Sequence, residues 1–158
     1  MAYLEKNFTT DFNKWLKYRA KFTGAFELKC TNKQSIPFSA VEEHQEDALY
    51  AAKHGTVVYK IPDTNITPNP FDTFVLANAP AFVVIMFGAK SDHFYLIDID
   101  VWQEEKKKSS RKSLTEERAM QIGFYCEFRL PLPDECISHI RLLFSSNLLG
   151  IFAQHDHA

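Results

Sequence analysis

The clearest pattern in this sequence is the alternation of apolar and polar side chains over residues 25–30. Because successive side chains of a strand point to opposite faces of a sheet, Phe26 and Leu28 share one face. Glu27 and Lys29 share the other, so an acid and a base stand two residues apart on one face of the predicted strand. An ordinary solvated strand with a paired Glu and Lys has the same spacing, so the pair alone does not define a site.

The next segment has the periodicity of an amphipathic helix over residues 39–54. The capping-box spacing of Ser39 and Glu42 predicts its start, and Gly55 predicts its end. Gln45 falls on the apolar, sheet-facing side of this helix. A buried amide without a partner costs about 1–3 kcal/mol, so we expect Gln45 to bond either to the backbone or to a polar group on the facing strand.

The remaining patterns predict an α/β (α+β) fold with a mixed central sheet flanked by helices. Residues 81–87 are apolar throughout, which is typical of a strand covered on both faces. An N-terminal helix is predicted over residues 4–17, with a buried stripe formed by Leu4, Phe8, Phe12, Trp15 and Leu16. Further strands are predicted at 20–23, 56–61, 71–76 and 93–99, and further helices at 101–107 (capped by Asp100), at 113–123 (capped by Ser113) and after Asp134.

The length of 158 residues fits one domain, with a core of about residues 1–123 and a C-terminal extension over 124–158. No apolar run approaches the length of a membrane span. The three cysteines have no metal-ligand spacing, which favours a reducing, cytoplasmic setting. The sequence therefore predicts a cytoplasmic globular protein, and its fourteen Phe indicate either an unusually aromatic core or an apolar surface used for self-association.

Several short motifs occur in a fixed order along the chain. They are Ala-Phe-Glu-Leu-Lys at 25–29, Asn-Lys at 32–33, Ile-Pro-Phe at 36–38 and Glu-His-Gln at 43–45, followed by 94–97 and 111–113. This combination, over roughly residues 9–118, resembles the core of RecU-type Holliday junction resolvases. Those enzymes belong to the PD-(D/E)xK nuclease superfamily, in which a Glu-x-Lys strand precedes a helix that carries a Gln.

The resemblance implies a metal-dependent endonuclease of DNA recombination and repair that cuts four-way junctions. Glu27 would bind Mg²⁺ (or Mn²⁺ in its place), Lys29 would stabilise the phosphate, and Gln45 would order the water or the phosphate. The N-terminal helix of the superfamily often contributes an acid, and Glu5 is the candidate. A homodimer is expected as well, because resolving a junction symmetrically requires two cuts related by a two-fold axis.

The sequence departs from the family pattern at one position. Family members carry an Asp on the strand before Glu-x-Lys, whereas no acid lies between Asp11 and Glu27 here. Asp72, which follows Pro70 at a predicted strand start, is the favoured replacement as catalytic metal ligand. Asp11 is the next candidate. A third interpretation is that the chain has lost the metal ligand and is catalytically inactive.

The charge distribution predicts where DNA binds. Residues 1–40 carry seven basic and three acidic side chains, residues 41–105 carry three and eleven, and residues 106–118 carry six and two. Basic segments suit phosphate backbones and acidic ones suit metal ions, although solvated faces give similar counts. The candidate DNA contacts are Lys33 and a basic, mobile loop at 106–112 with Lys106, Lys107, Lys108, Arg111 and Lys112. Two alternatives stay open: another PD-(D/E)xK nuclease acting on duplex DNA, and a non-catalytic α/β module that mediates assembly.

Overall fold

A four-stranded mixed sheet forms the centre of the protein in the computed structural model, which describes residues 2–20, 24–60, 73–88 and 91–138. In chain order the elements are α1 (Ala2–Trp15), β1 (Ala25–Thr31), β2 (Ser35–Pro37), α2 (Glu43–His54), β3 (Thr56–Lys60), β4 (Thr73–Ala77), β5 (Ala81–Phe87), β6 (His93–Asp98), α3 (Ile99–Lys108), β7 (Ser113–Thr115), α4 (Glu116–Ile122) and β8 (Phe124–Glu127). The predicted α/β class, with a mixed sheet flanked by helices, is confirmed.

The sheet has the strand order β1-β5-β6-β8. Strand β5 runs parallel to β1 and antiparallel to β6, and β8 pairs antiparallel with the far side of β6. All seven residues of β5 are buried, as predicted for a strand covered on both faces. Because β1 is an edge strand, its side chains are only partly buried, and Glu27 and Lys29 lie opposite Val83 and Ile85 of β5.

One side of the sheet, here called the aromatic face, is covered by α1. Phe8, Phe12 and Trp15 of the predicted stripe are buried at 1–2% exposure. They pack against Phe94 of β6, with ring centroids 4.9 Å apart for Trp15 and 5.6 Å apart for Phe12. Phe26 points to the same face, which confirms the predicted alternation of β1. The side chain of Leu4 lies outside the described part of the chain.

The opposite side, here called the α2–α4 face, is covered by α2, α3 and α4. Leu49, Trp102 and Ala119 come from these three helices and pack in one buried cluster with Val83 and Ile85 of β5. The side chains of Glu27 and Lys29 point to this face, because the alternation of β1 sends Phe26 and Leu28 to the other.

Two small antiparallel sheets extend the fold beside α2 and α4. Strand β3 pairs with β4, with Thr56 opposite Ala77 at one end and Lys60 opposite Thr73 at the other. This confirms the predicted strand at 56–61 over residues 56–60. The predicted strand at 71–76 is found from Thr73 onward, and residues 71 and 72 lie outside the described residues. The predicted strand at 20–23 also falls outside them, except that Ala20 ends a π-helical turn, Leu16–Ala20, that follows α1.

The predicted start of α2 at Ser39 is wrong. Residues 38–40 form a 3₁₀ turn instead, and α2 begins at Glu43 with Glu42 as its N-cap. A capping box is present, but it joins Glu42 and Gln45. Ser39 and Glu42 have the same three-residue spacing as Glu42 and Gln45, so the predicted N-cap lies three residues before the observed one.

Two other predicted caps are wrong for related reasons. Asp98, not Asp100, caps α3, and its carboxylate accepts a hydrogen bond from the Asp100 backbone N–H at 3.0 Å. Thr115 caps α4 because Ser113 belongs to strand β7, where it pairs with Pro37 of β2. In each case a neighbouring residue with the same chemistry occupies the helix start.

The C-terminal extension predicted from residue 124 contributes to the central sheet. Phe124–Glu127 form the edge strand β8, and residues 134–138 form a helical segment, as predicted after Asp134. Gly123 joins α4 to β8 at a close approach, since an added Cβ would lie 2.9 Å from Cγ1 of Ile97. No helix within the described residues is long and apolar enough to span a bilayer.

Candidate active site

Glu27 and Lys29 form an ion pair on the α2–α4 face of β1. The Lys29 Nζ lies 2.9 Å from the Glu27 Oε1, and the two side chains are only 16% and 23% exposed. Their spacing on an edge strand places them side by side, while Phe26 and Leu28 anchor the opposite side of the strand in the aromatic face. Two opposite charges are therefore held together in a half-buried position, where they are less screened than on an open surface.

A cleft of about 260 Å³ opens next to Glu27, between β1 and the N-terminal half of α2. Its polar groups are the carboxylate of Glu27 and the side chains of His44 and Gln45. The remaining lining is formed by Gly24, Ala25, Phe26, Ala48, Leu49 and Leu76. The structure thus brings Glu27 and Gln45 to one cleft, although the motifs that carry them lie on different elements.

Gln45 has a structural role in addition to its place in the cleft. Its Oε1 accepts a hydrogen bond from the Glu42 backbone N–H at 3.0 Å and so completes the capping box of α2. The side-chain Nε2 of Gln45 has no hydrogen-bond partner within the described ranges, whereas its backbone N–H donates to the Glu42 carbonyl oxygen at 2.9 Å. The cap fixes the side-chain amide and leaves its N–H groups as donors for a molecule in the cleft.

Glu5 is not brought to Glu27. It lies on α1, which packs on the aromatic face, and its side chain is exposed. Burial raises the pKa of the Cys30 thiol, and the negative charge of Glu5 raises it further. Cys30 shares the aromatic face with Phe26, so Glu5 approaches the side of β1 that Glu27 does not occupy.

The missing Asp has two candidate replacements, Asp72 and Asp11. Asp72 lies outside the described residues, and its assignment as a metal ligand stays a prediction. Asp11 lies on α1 of the aromatic face, is exposed, and forms a 3.8 Å pair with Lys14. The structure therefore does not bring Asp11 to the cleft of Glu27.

The predicted basic loop at 106–112 begins as a helix. Lys106, Lys107 and Lys108 form the last turn of α3, where cations interact favourably with the helix dipole. Lys106 binds Glu46 at 2.8 Å, and Lys108 pairs with Glu104. The helix predicted at 101–107 is therefore found, one residue longer at its end, and the loop predicted at 106–112 begins only after Lys108.

The other predicted DNA contacts remain exposed. Lys33 lies in the turn between β1 and β2, and Arg111 and Lys112 lie between α3 and β7. Within the described ranges none of these three side chains has an acidic partner, and the same holds for Lys107. Of the predicted DNA contacts, these four are therefore available to a phosphate backbone.

The sequence reasoning missed a buried carboxylate at Glu46. Its Oε1 accepts a hydrogen bond from the Trp102 indole N–H at 3.1 Å and from the Lys106 Nζ at 2.8 Å. Glu46 is 6% exposed, and it lies one residue from Gln45 on α2. The signal was available, because Glu46 and the buried Leu49 are three apart and share a helix face.

A second missed network joins the end of α2 to the start of α3. The Lys53 Nζ lies 2.5 Å from an Asp98 oxygen and 2.7 Å from an Asp100 oxygen, while the His54 Nε2 lies 2.8 Å from Asp100. Burial opposes the charge of Lys53, but the hydrogen bonds to Asp100 and Asp98 prevail and raise its pKa. Burial likewise opposes the charge of Asp100, and its bonds with Lys53 and His54 still lower its pKa.

A third network lies at the start of β6. The His93 Nε2 lies 3.0 Å from a Glu116 oxygen, and its Nδ1 lies 3.1 Å from an Asp92 oxygen. Burial lowers the pKa of His93, but the bonds to the two carboxylates outweigh it and raise the pKa above its usual value. Tyr95 donates to the same Glu116 oxygen at 3.3 Å, and burial together with that carboxylate raises its pKa to about 12.

The described part of the chain contains no group of three or more His, Cys, Asp or Glu side chains placed to hold a metal ion. Cys30, Cys126 and Cys136 are free thiols, and burial raises the pKa of Cys136 to about 12. No protein-family model and no curated protein matches this sequence. The Glu27–Lys29 pair and its cleft are accordingly interpreted from their own geometry.

Proposed function

We propose that this chain is a metal-dependent DNA endonuclease that hydrolyses phosphodiester bonds in branched DNA, with the Holliday junction as its substrate. One observation supports this most: Glu27, which is paired with Lys29 at 2.9 Å, lines one cleft together with Gln45. The motif resemblance to the junction resolvases supplies the substrate class. The exposed cations Lys33 and Arg111 add groups that can contact a phosphate backbone.

Each residue has a distinct role in the proposed reaction. Lys29 exchanges its contact with Glu27 for a contact with a phosphate oxygen and stabilises the negative charge that develops there. The amide N–H groups of Gln45, held by the cap of α2, orient the attacking water or the phosphate. The carboxylate of Glu27 would be one ligand of a divalent metal ion.

The described residues complete only part of a magnesium site. Glu27 is the one carboxylate among the described lining residues of the cleft, whereas Mg²⁺ binds well only where several negative oxygens converge. We assign the second carboxylate to Asp72. When bound, Mg²⁺ makes a coordinated water easier to deprotonate and neutralises phosphate charge.

A cleavage assay with matched substrates tests the proposal. The purified chain is incubated with a four-way junction and with linear duplexes of the same sequence, in Mg²⁺, in Mn²⁺ and in EDTA. We expect symmetric nicks in the junction that require the divalent ion, and intact linear duplexes. Equal cutting of both substrates would favour the duplex nuclease, and cutting of neither in either ion would overturn the enzymatic proposal.

The proposal includes a homodimer, because two symmetric cuts require two active sites related by a two-fold axis. Multi-angle light scattering of the chain, free and mixed with junction DNA, measures the oligomeric state. We expect the mass of two chains in the active complex. A single chain per junction that still makes both cuts would contradict this part.

A non-catalytic assembly module is the second candidate, and exposed apolar side chains favour it. Val58 on β3 is 63% exposed and Met120 on α4 is 59% exposed, and such residues suit a contact surface. Under this reading Glu27 and Lys29 only satisfy each other's charge. Self-association without any divalent-ion-dependent cleavage would favour this candidate.

A further inference from the structure

A second cleft, of about 580 Å³, lies on the aromatic face, between the end of α1 and the residues that follow β8. It is separate from the Glu27 cleft, because α1 covers the side of the sheet that Glu27 does not face. Its aromatic lining is formed by Trp15, Tyr18 and Phe128. Its charged lining is formed by Asp11, Lys14, Asp92 and Arg129.

The floor of this cleft is rigid. Trp15 is 2% exposed, and its indole N–H donates to the Leu130 carbonyl oxygen at 3.0 Å. Its ring lies 4.9 Å from that of Phe94, and the Phe128 ring lies at the same distance from Phe94 on another side. The aromatic packing therefore holds the floor in one arrangement, and a ligand would not have to order it.

Tyr18 stands at the rim of the cleft and is 63% exposed. It is three residues from Trp15, a spacing that in an α-helix would place both on one face. Tyr18 lies within the π-helical turn Leu16–Ala20 and, unlike Trp15, is mostly exposed. Such turns occur often at functional sites, and here the result is a large ring presented to solvent.

One cation lies over this ring and two others line the cleft. The Lys17 Nζ lies over one face of the Tyr18 ring, 5.2 Å from its centroid, and Lys14 and Arg129 line the cleft. Of the two carboxylates present, Asp92 is bound to His93 at 3.1 Å, and Asp11 contacts Lys14 only at 3.8 Å, with both side chains more than half exposed. Exposed ion pairs of this kind contribute little free energy, so an incoming phosphate can compete with Asp11 for Lys14.

We propose that this cleft binds single-stranded DNA, with an unpaired base stacked on Tyr18 and its flanking phosphates on Lys14, Lys17 and Arg129. Every base offers a π-face, and strands without a partner leave that face open, whereas bases within a duplex are already stacked. The aromatic ring beside clustered cations is the combination that single strands recognise. This inference does not depend on the chemistry proposed for Glu27.

Binding of fluorescein-labelled oligothymidylate to the full chain in EDTA, followed by anisotropy, tests the proposal. We expect Tyr18→Ala to weaken binding by about tenfold and Tyr18→Phe, which keeps the ring, to stay within about twofold. Tyr50→Ala is the matched control, because Tyr50 is 47% exposed on α2, away from the cleft, and should bind as the parent does. Circular dichroism of each variant verifies that the fold is kept.

An abasic oligonucleotide of the same length separates stacking from charge. We expect it to bind more weakly than oligothymidylate and to be indifferent to Tyr18→Ala, while Arg129→Ala weakens the binding of both. The proposal is overturned if the parent does not bind oligothymidylate, or if Tyr18→Ala and Tyr50→Ala behave alike. Glu27→Gln, which should abolish cleavage, must leave this binding unchanged, so the two proposals fail independently.

Discussion

The two faces of the central sheet differ in the polar side chains that they hold. On the aromatic face, Phe12 and Trp15 pack edge to face against Phe94 and Phe8 packs tilted against it, so the interactions are dispersion and apolar burial. On the α2–α4 face, the buried carboxylate of Glu46 and the half-buried Glu27 are held by specific polar partners. Both faces therefore bury an apolar cluster, and the α2–α4 face differs in that it also holds charged side chains by specific partners.

The largest effect expected from this comparison concerns cleavage. Glu27→Gln should lower junction cleavage by at least about a hundredfold, because it removes the charge that binds the ion beside Lys29. Glu5→Gln, on the other face, should cleave at the parental rate. Single-turnover rates on a junction substrate measure both, and an equal loss in the two variants would refute the assignment of the faces.

Next in size is the loss of an aromatic core residue. Phe12→Ala should reduce the free energy of unfolding by about 3–5 kcal/mol, because the buried ring touches several other rings and leaves a cavity. Urea denaturation measures the change, and Tyr50→Ala, an exposed aromatic on α2, should alter it by less than about 0.5 kcal/mol. Similar losses for the two variants would contradict the assignment of the stabilisation by Phe12 to its burial among aromatic rings.

On the α2–α4 face, the corresponding substitution is Glu46→Ala. It leaves the buried Trp102 indole N–H without its acceptor and should cost about 1–3 kcal/mol of unfolding free energy. Glu104→Ala removes an exposed partner of Lys108 and should cost less than about 0.5 kcal/mol. If Glu46→Ala is as mild as this control, the polar network does not hold α3 against α2.

The distinction between paired and exposed cations gives a smaller, measurable effect on DNA binding. Replacing Arg111 and Lys112 by Ala should reduce the slope of log affinity against log salt by about 0.9 for each phosphate that the variant no longer neutralises. Lys106→Ala should change this slope less, because Lys106 binds Glu46 in the folded protein. A larger change for Lys106 than for Arg111 would show that the ion pair opens on DNA.

The smallest effect is a pH dependence centred on His93. Because its pKa is raised in the folded protein, its ion pairs stabilise fully below about pH 6.5 and are lost as pH rises through the raised pKa. Glu116→Gln should remove most of this stabilisation, which for a partly exposed pair is about 0.5–1 kcal/mol. Urea denaturation midpoints of the parent and the variant, from mildly acidic to mildly alkaline pH, measure this stabilisation. The difference in stability between parent and variant should shrink as pH rises, and a difference that grows with pH would contradict the prediction.

Local patterns predicted the elements well where burial and periodicity agree. The all-apolar strand at 81–87, the stripe of Phe8, Phe12 and Trp15, and the alternation around Glu27 were each found as predicted. Helix starts were displaced because several residues with capping chemistry stand close together, and only the surrounding pairing chooses among them. Ser113, for example, is held in a strand by its pairing with Pro37.

The sequence by itself determined which side chains lie two residues apart on one strand face, because strand alternation is a local property of the backbone. It therefore placed Glu27 beside Lys29. The tertiary structure alone decided that Gln45 joins Glu27 in one cleft, that α1 puts Glu5 on the far side of the sheet, and that Lys106 is bound by Glu46. These relations connect elements far apart in the chain, and their distances are set by how helices pack across the sheet rather than by any local period.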